Sequence, residues 1–110
     1  MAILKQDRLY GTLDALILKA LKLAPSHGYA IARWLEQAAD GALTIEDGSL
    51  YPALYRLERR GWIQADWGMS ELGRRARFYR LTRAGRAQLA VETREWALFA
   101  AFVTRVLETA

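Results

Sequence analysis

Between Tyr51 and Arg60 two phenols and three guanidinium groups interleave, and a second group of arginines follows at Arg74, Arg75 and Arg77. A guanidinium fork matches the paired oxygens of a phosphate and the acceptor edge of guanine, and a tyrosine hydroxyl reaches a phosphate oxygen. The chemistry on offer is therefore recognition of a polyanion. Its charge is concentrated: from Gly48 to Arg86 there are nine arginines and no lysine against Glu58, Asp66 and Glu71, whereas the segments before and after are each acidic by one charge. That stretch carries +6, which with one negative charge on each flank makes the net +4. An ordinary solvated face, the plainer reading of a few surface arginines, does not account for such a concentration.

Catalytic chemistry finds little support. The chain has no cysteine, which excludes a disulfide framework, a thiol nucleophile and a thiolate metal site, and its one histidine, His27, is too few for a His-based zinc site or triad. There is no glycine-rich phosphate loop and no carboxylate pair that the pattern places in a pocket, so neither an enzyme nor a resident metal or cofactor is expected. A length of 110 residues suits one domain's core plus a dimerisation element, and 53% hydrophobic with 25% charged residues is a globular composition. The N-terminal Met-Ala-Ile-Leu-Lys-Gln-Asp-Arg lacks a signal peptide's apolar run, and no window approaches a membrane-spanning length, so a cytoplasmic protein is expected.

The elements that must carry the arginines can be read by period. Leu50, Ala53, Leu54 and Leu57, closed by Gly61, fall on one helical stripe; Pro52, Tyr55, Arg56 and Arg59 fall on another. One face is to be buried and the other is to touch something. Ser49 is the expected N-cap, with Pro52 in the first turn and Gly61 at the C′ position. Trp62 to Trp67 then alternates, with Ile63, Ala65 and Trp67 on one side, and Arg77 to Leu81 alternates again. Gly68 and Gly73 bracket the expected loop, which ends in Arg74 and Arg75. Such a loop lies along a phosphate backbone, or in a minor groove, while the helix sits in the major groove.

Helix followed by hairpin is half of a winged helix, and here the sequence resembles a known family. Gly48-Ser-Leu-Tyr-Pro-Ala-Leu-Tyr-Arg-Leu-Glu-Arg-Arg-Gly-Trp-Ile, then Gly73-Arg-Arg-Ala-Arg-Phe-Tyr-Arg-Leu-Thr-Arg-Ala-Gly, and upstream His27-Gly-Tyr-Ala-Ile are similar to the PadR family of bacterial transcriptional regulators. The likeness runs from about Leu9 to Leu89. It implies a mainly α fold with a small β-hairpin: a winged helix-turn-helix repressor over residues 1–82 and, in short members, one C-terminal dimerisation helix, here 83–110.

The rest of the chain fits that frame. Lys5 and Arg8, in a short N-terminal arm, are candidate phosphate contacts or part of a frayed end. Thr12 is the expected cap of a first helix with Asp14 in its first turn and Leu13, Leu16, Ile17, Ala20 and Leu21 as its buried stripe. Pro25 ends it and Ser26 is placed to cap a second helix, Gly28 to Ala39, burying Ile31, Leu35 and Ala38 with Trp34 at the edge. His27 and Tyr29 stand where the first helix of a helix-turn-helix pair crosses the backbone, although His27 reads more readily as a structural or capping residue. Leu43-Thr44-Ile45 suits a third strand beside the hairpin.

Thr82 is the expected cap of the last helix, in which Leu89, Trp96 and Val103 recur every seven residues with Phe99 and Val106 interposed. Glu92 interrupts that heptad, so a continuous coiled coil is not expected. The apolar face needs a partner, which a twofold homodimer supplies. Trp96 reads as an interface anchor or, as the resemblance allows, one half of a clamp for a flat aromatic effector; Trp62 and Trp67 read as core or hairpin aromatics. The DNA-contacting set is then Ser49, Tyr51, Pro52, Tyr55, Arg56, Arg59, Arg60, Arg74, Arg75 and Arg77, with His27 and Tyr29. The competing reading is a winged helix that binds an acidic protein partner and only non-specific DNA.

Overall fold

The computed structural model describes Leu9 and residues 11–110; the expectation about Lys5 and Arg8 falls outside them. Four helices, α1 (Leu13–Leu23), α2 (Gly28–Ala38), α3 (Asp47–Arg59) and α4 (Arg83–Glu108), accompany three strands, β1 (Ser26–His27), β2 (Ile63–Met69) and β3 (Arg75–Leu81). The strands form one antiparallel sheet in the order β1-β3-β2, with Ala65 opposite Tyr79 and His27 opposite Phe78. This is the winged helix the resemblance implied.

The core lies where α1, α2 and α3 meet the inner half of the hairpin. Ile17, Leu18, Ile31, Leu50, Leu54, Leu57 and Ile63 are its largest fully buried side chains. The α3 stripe is as expected, but the α1 stripe is not: Leu16 stands at the surface and Leu18 is buried in its place. Likewise Ala38 is exposed and Ala32 is buried. Both helices are rotated slightly from the orientation their stripes alone suggest.

The third strand is not at 43–45. Ser26 and His27 pair with Tyr79 and Phe78 and occupy the open edge of β3. Ile45 instead drops its side chain into the core and gives its backbone N–H to the Glu36 carboxylate at 2.8 Å. That bond satisfies a buried donor without a strand partner.

Helix α3 also begins earlier than expected. The Glu46 carbonyl accepts from Ser49 N–H at 3.0 Å and from Leu50 N–H at 2.9 Å, so Glu46 is the cap, Ser49 lies in the first turn and Pro52 lies inside the helix. The proline removes the bond that would return to Gly48. At the other end Trp62 N–H donates to the Leu57 carbonyl and Gly61 N–H to Glu58, with Gly61 at φ +77°. This is a Schellman motif whose left-handed residue favours glycine.

Thr82 caps α4 by accepting from Gly85 N–H at 3.0 Å, as expected, and its hydroxyl also donates to the Gly61 carbonyl at 2.7 Å. Its own N–H donates to the Trp62 carbonyl. A Cβ on Gly85 would strike that same carbonyl, so α4 seats against the chain there at a distance only glycine permits. The end of α3 and the start of α4 thus form one joint. Leu89 belongs to the core, and no residue of α4 beyond it is buried; the molecule is 56 Å in its longest dimension.

Candidate nucleic-acid interface

Two tyrosines and two arginines shape the outer face of α3, and each is held by something. Tyr51 leans over the first turn of α2, where a Cβ on Gly28 would come within 2.9 Å of its ring and hydroxyl. The Arg59 guanidinium lies 5.7 Å from the centroid of the Tyr55 ring and donates to its hydroxyl at 3.1 Å. Stacking restrains the side chain before any ligand arrives, so less conformational entropy is lost on contact. Pro52 is exposed among them, while Arg60 lies over Trp62 at 5.1 Å near the end of the helix. Trp62 packs against the core.

Arg56 and Arg77 are not free guanidinium groups. Arg56 Nη2 donates to Asp14 Oδ1 of α1 at 2.9 Å, and Arg77 Nη2 donates to Glu58 Oε2 of α3 at 2.9 Å. Helix α3 is braced on one side by α1 and on the other by the hairpin. Sequence spacing could not reveal either acid, since the partners lie far apart in the chain and each acid belongs to another element's surface. Beside Arg77, Tyr79 is buried; burial pushes its phenol above the ordinary pKa, with the nearby guanidinium opposing the shift.

The hairpin runs further than the alternation suggested. Gly68 is a strand residue opposite Ala76, and a Cβ there would come within 2.8 Å of the Phe78 ring. The loop is Ser70 to Arg74, closed by Ser70 N–H to the Arg74 carbonyl at 2.8 Å and Gly73 N–H to the Ser70 carbonyl at 2.9 Å. Arg75 begins β3, and its guanidinium covers the Trp67 ring at 4.6 Å. Trp67 is a hairpin aromatic, 60% exposed, rather than part of the core. Arg74 is exposed with the loop, and Arg80 pairs with Asp66 at 3.4 Å.

At the start of α2 the structure separates the two candidates. His27 is buried: Nδ1 accepts the Ala30 N–H at 3.2 Å, and Phe78 meets the ring edge-on at 5.2 Å. It caps the helix instead of Ser26, whose hydroxyl is directed to the Ala24 carbonyl. His27 Nε2 lies 3.6 Å from the Glu71 carboxylate of the loop, under the surface, so the side chain itself presents nothing outward. Tyr29 is exposed and accepts from Arg33 at 3.3 Å.

The distal half of α4 bears Trp96, Leu98, Phe99, Phe102, Val106 and Leu107, all exposed, with ring centroids 6.3 Å apart for Trp96 and Phe99 and 6.5 Å for Phe99 and Phe102. Leu89 is no part of that surface, because the domain's own core takes it. Val103 is half-buried along the same helix. Among the described residues no cluster of three or more potential metal ligands occurs, and no helix is long and apolar enough to cross a membrane.

A family model described as the transcriptional regulator PadR-like family matches residues 17–91. An uncharacterized protein of Lysinibacillus sphaericus is 30% identical over 93 residues, 84% of this chain and 85% of that one. Among solved structures, a transcriptional regulator from Clostridium thermocellum aligns with TM-score 0.83 at 30% identity, covering 91% of this chain and 97% of that one. A PadR-like transcriptional regulator from Bacillus cereus aligns with TM-score 0.81 at 26% identity, covering 96% and 100%. A PadR family regulator from Eggerthella lenta reaches 0.79 at 32% identity, covering 94% and 88%.

Proposed function

The chain belongs to the PadR-like family of transcriptional regulators, which are DNA-binding proteins and not enzymes, and from that premise we propose that it is a homodimeric repressor reading a pseudo-palindromic operator. The observation that carries this is the outer face of α3, where Tyr51, Tyr55, Arg56 and Arg59 stand together over a fully buried apolar stripe. In this reading each subunit sets α3 into a major groove, with Pro52, Ser49 and Arg60 beside the contacting side chains. Arg74 and Arg75 lie on the backbone or in the minor groove, and Arg77 holds the hairpin to α3. Tyr29 and the first N–H groups of α2 take a phosphate, with His27 acting through the cap.

The exposed strip on α4 supports the pairing of two chains. Residues 1–82 then form the reading domain, with 83–110 as the dimerisation helix whose first turns are seated in that domain. A flat aromatic effector held between the Trp96 side chains of the two subunits repacks the strip and relieves operator binding. Selection of bound duplexes from a random pool at physiological salt tests the whole reading. A twofold-symmetric motif with half-sites roughly 10 bp apart, centre to centre, is the expected result. A featureless pool whose binding vanishes as salt rises overturns it and leaves a basic winged helix for an acidic protein partner.

A further inference from the structure

The hairpin carries a second kind of surface that the arginines alone do not explain. Side chains alternate along paired strands, so Trp67 and Met69 share a face with Arg75 and Arg77, and that face continues outward from Tyr79 and Leu81 of the core. Trp67, Met69 and Leu72 are 60%, 66% and 74% exposed. None of them serves the core, and an exposed leucine on a loop gains nothing in folding. The loop that presents Leu72 is firm: two backbone bonds close it, Gly73 sits at φ +75°, and the Ser70 hydroxyl takes the Arg74 N–H at 3.3 Å. Arg74 and Arg75 follow the leucine one residue on, after Gly73, while the one acid of the loop, Glu71, is directed to His27. The surface is also continuous with α3, since Arg77 on the same face is bonded to Glu58.

We infer that the hairpin end is a minor-groove wedge: Leu72 enters a base step and Met69 and Trp67 lie against the sugar faces, with Arg74 and Arg75 on the flanking phosphates. This rests on the operator reading above and adds to it a kink and a source of specificity without base-edge hydrogen bonds. Apolar side chains inserted from the minor groove partly unstack a step and bend the duplex toward the major groove. Flexible pyrimidine–purine steps open most easily, so the operator is selective for one at the wedge position.

The experiment uses the full-length protein and the operator recovered by selection, with 2-aminopurine placed at successive steps on the hairpin side of each half-site. The wild type is expected to raise the fluorescence at one step, and Leu72→Ser to return it to the free-duplex value while the protein still binds. A roughly tenfold preference for a TA over an AA step at that position is expected to disappear with it. Leu72 and Met69 are surface residues, so Leu72→Ser and Met69→Ser fold; a circular dichroism melt checks this. Tight, sequence-preferring binding with no brightened step overturns the wedge and leaves the operator reading standing. Brightening that survives Leu72→Ser with Met69→Ser overturns the residue assignment. Binding without sequence preference overturns the operator reading and the wedge together.

Discussion

Helix α3 and the distal half of α4 are both amphipathic, yet only one of them finishes its packing inside the chain. In α3 the stripe Leu50, Ala53, Leu54, Leu57 is sealed, and the face left outside is charged and aromatic. In α4 nothing beyond Leu89 is buried, and the face left outside is the apolar one. A sealed stripe marks where the core is; an unsealed one leaves apolar surface open to solvent. The two helices are joined at Thr82 and Gly61, so a displacement of one has a mechanical route to the other.

The sharpest way to break this contrast is to remove the α4 anchors. Trp96→Ala with Phe99→Ala is expected to weaken self-association about a thousandfold, two truncations at ~2 kcal/mol each, and to yield monomers in sedimentation with the winged part still folded. A tight dimer from that variant places the interface elsewhere. Next, Leu54→Ala is expected to cost ~3 kcal/mol in denaturant unfolding. Phe99→Ala measured in the monomeric background should cost well under that; equal costs mean that the α4 strip packs within its own chain.

On the charged face, Arg56→Ala should lower operator affinity by roughly ten- to a hundredfold, because it also leaves the Asp14 carboxylate unneutralised near the phosphates. A gel shift indistinguishable from wild type means the reading face is misassigned. Arg75→Ala should weaken binding to every sequence alike and reduce the salt slope by about one. The smallest effect is that of Asp14→Asn on unfolding, less than ~1 kcal/mol for an ion pair at the surface. A larger loss would make Asp14 a structural support of α3 and not merely a partner for Arg56.

What could be read in the residues divides along similar lines. The α3 stripe, the Gly61 stop, the alternation of the hairpin and the Thr82 cap depend on neighbours within a turn or a strand, and local spacing carries them. The third strand does not: Ser26 and His27 have no period of their own, and they become a strand only because β3, some fifty positions later, offers an edge. Leu43-Thr44-Ile45 had the better β-propensity and lost to that geometry. Glu46 as the true cap of α3 was hidden because Ser49 is the better capping residue, while the chain's approach angle decides where the turn begins. The pairs Arg56 with Asp14 and Arg77 with Glu58 are tertiary facts, without any signal in spacing.

The joint at Gly85 gives α4 the properties of a lever. From that seat to Glu108 the helix runs about 35 Å, so a tilt of about 5° at the pivot carries the far end through about 3 Å, close to the rise of one base pair. The pivot is a carbonyl pressed on a glycine and a threonine hydroxyl shared between two helices, which has almost no slack. In the proposed pair, α4 therefore acts as a stiff ruler: a small repacking among aromatic rings at one end is delivered as a change of reach between two reading heads, measured in steps of the double helix.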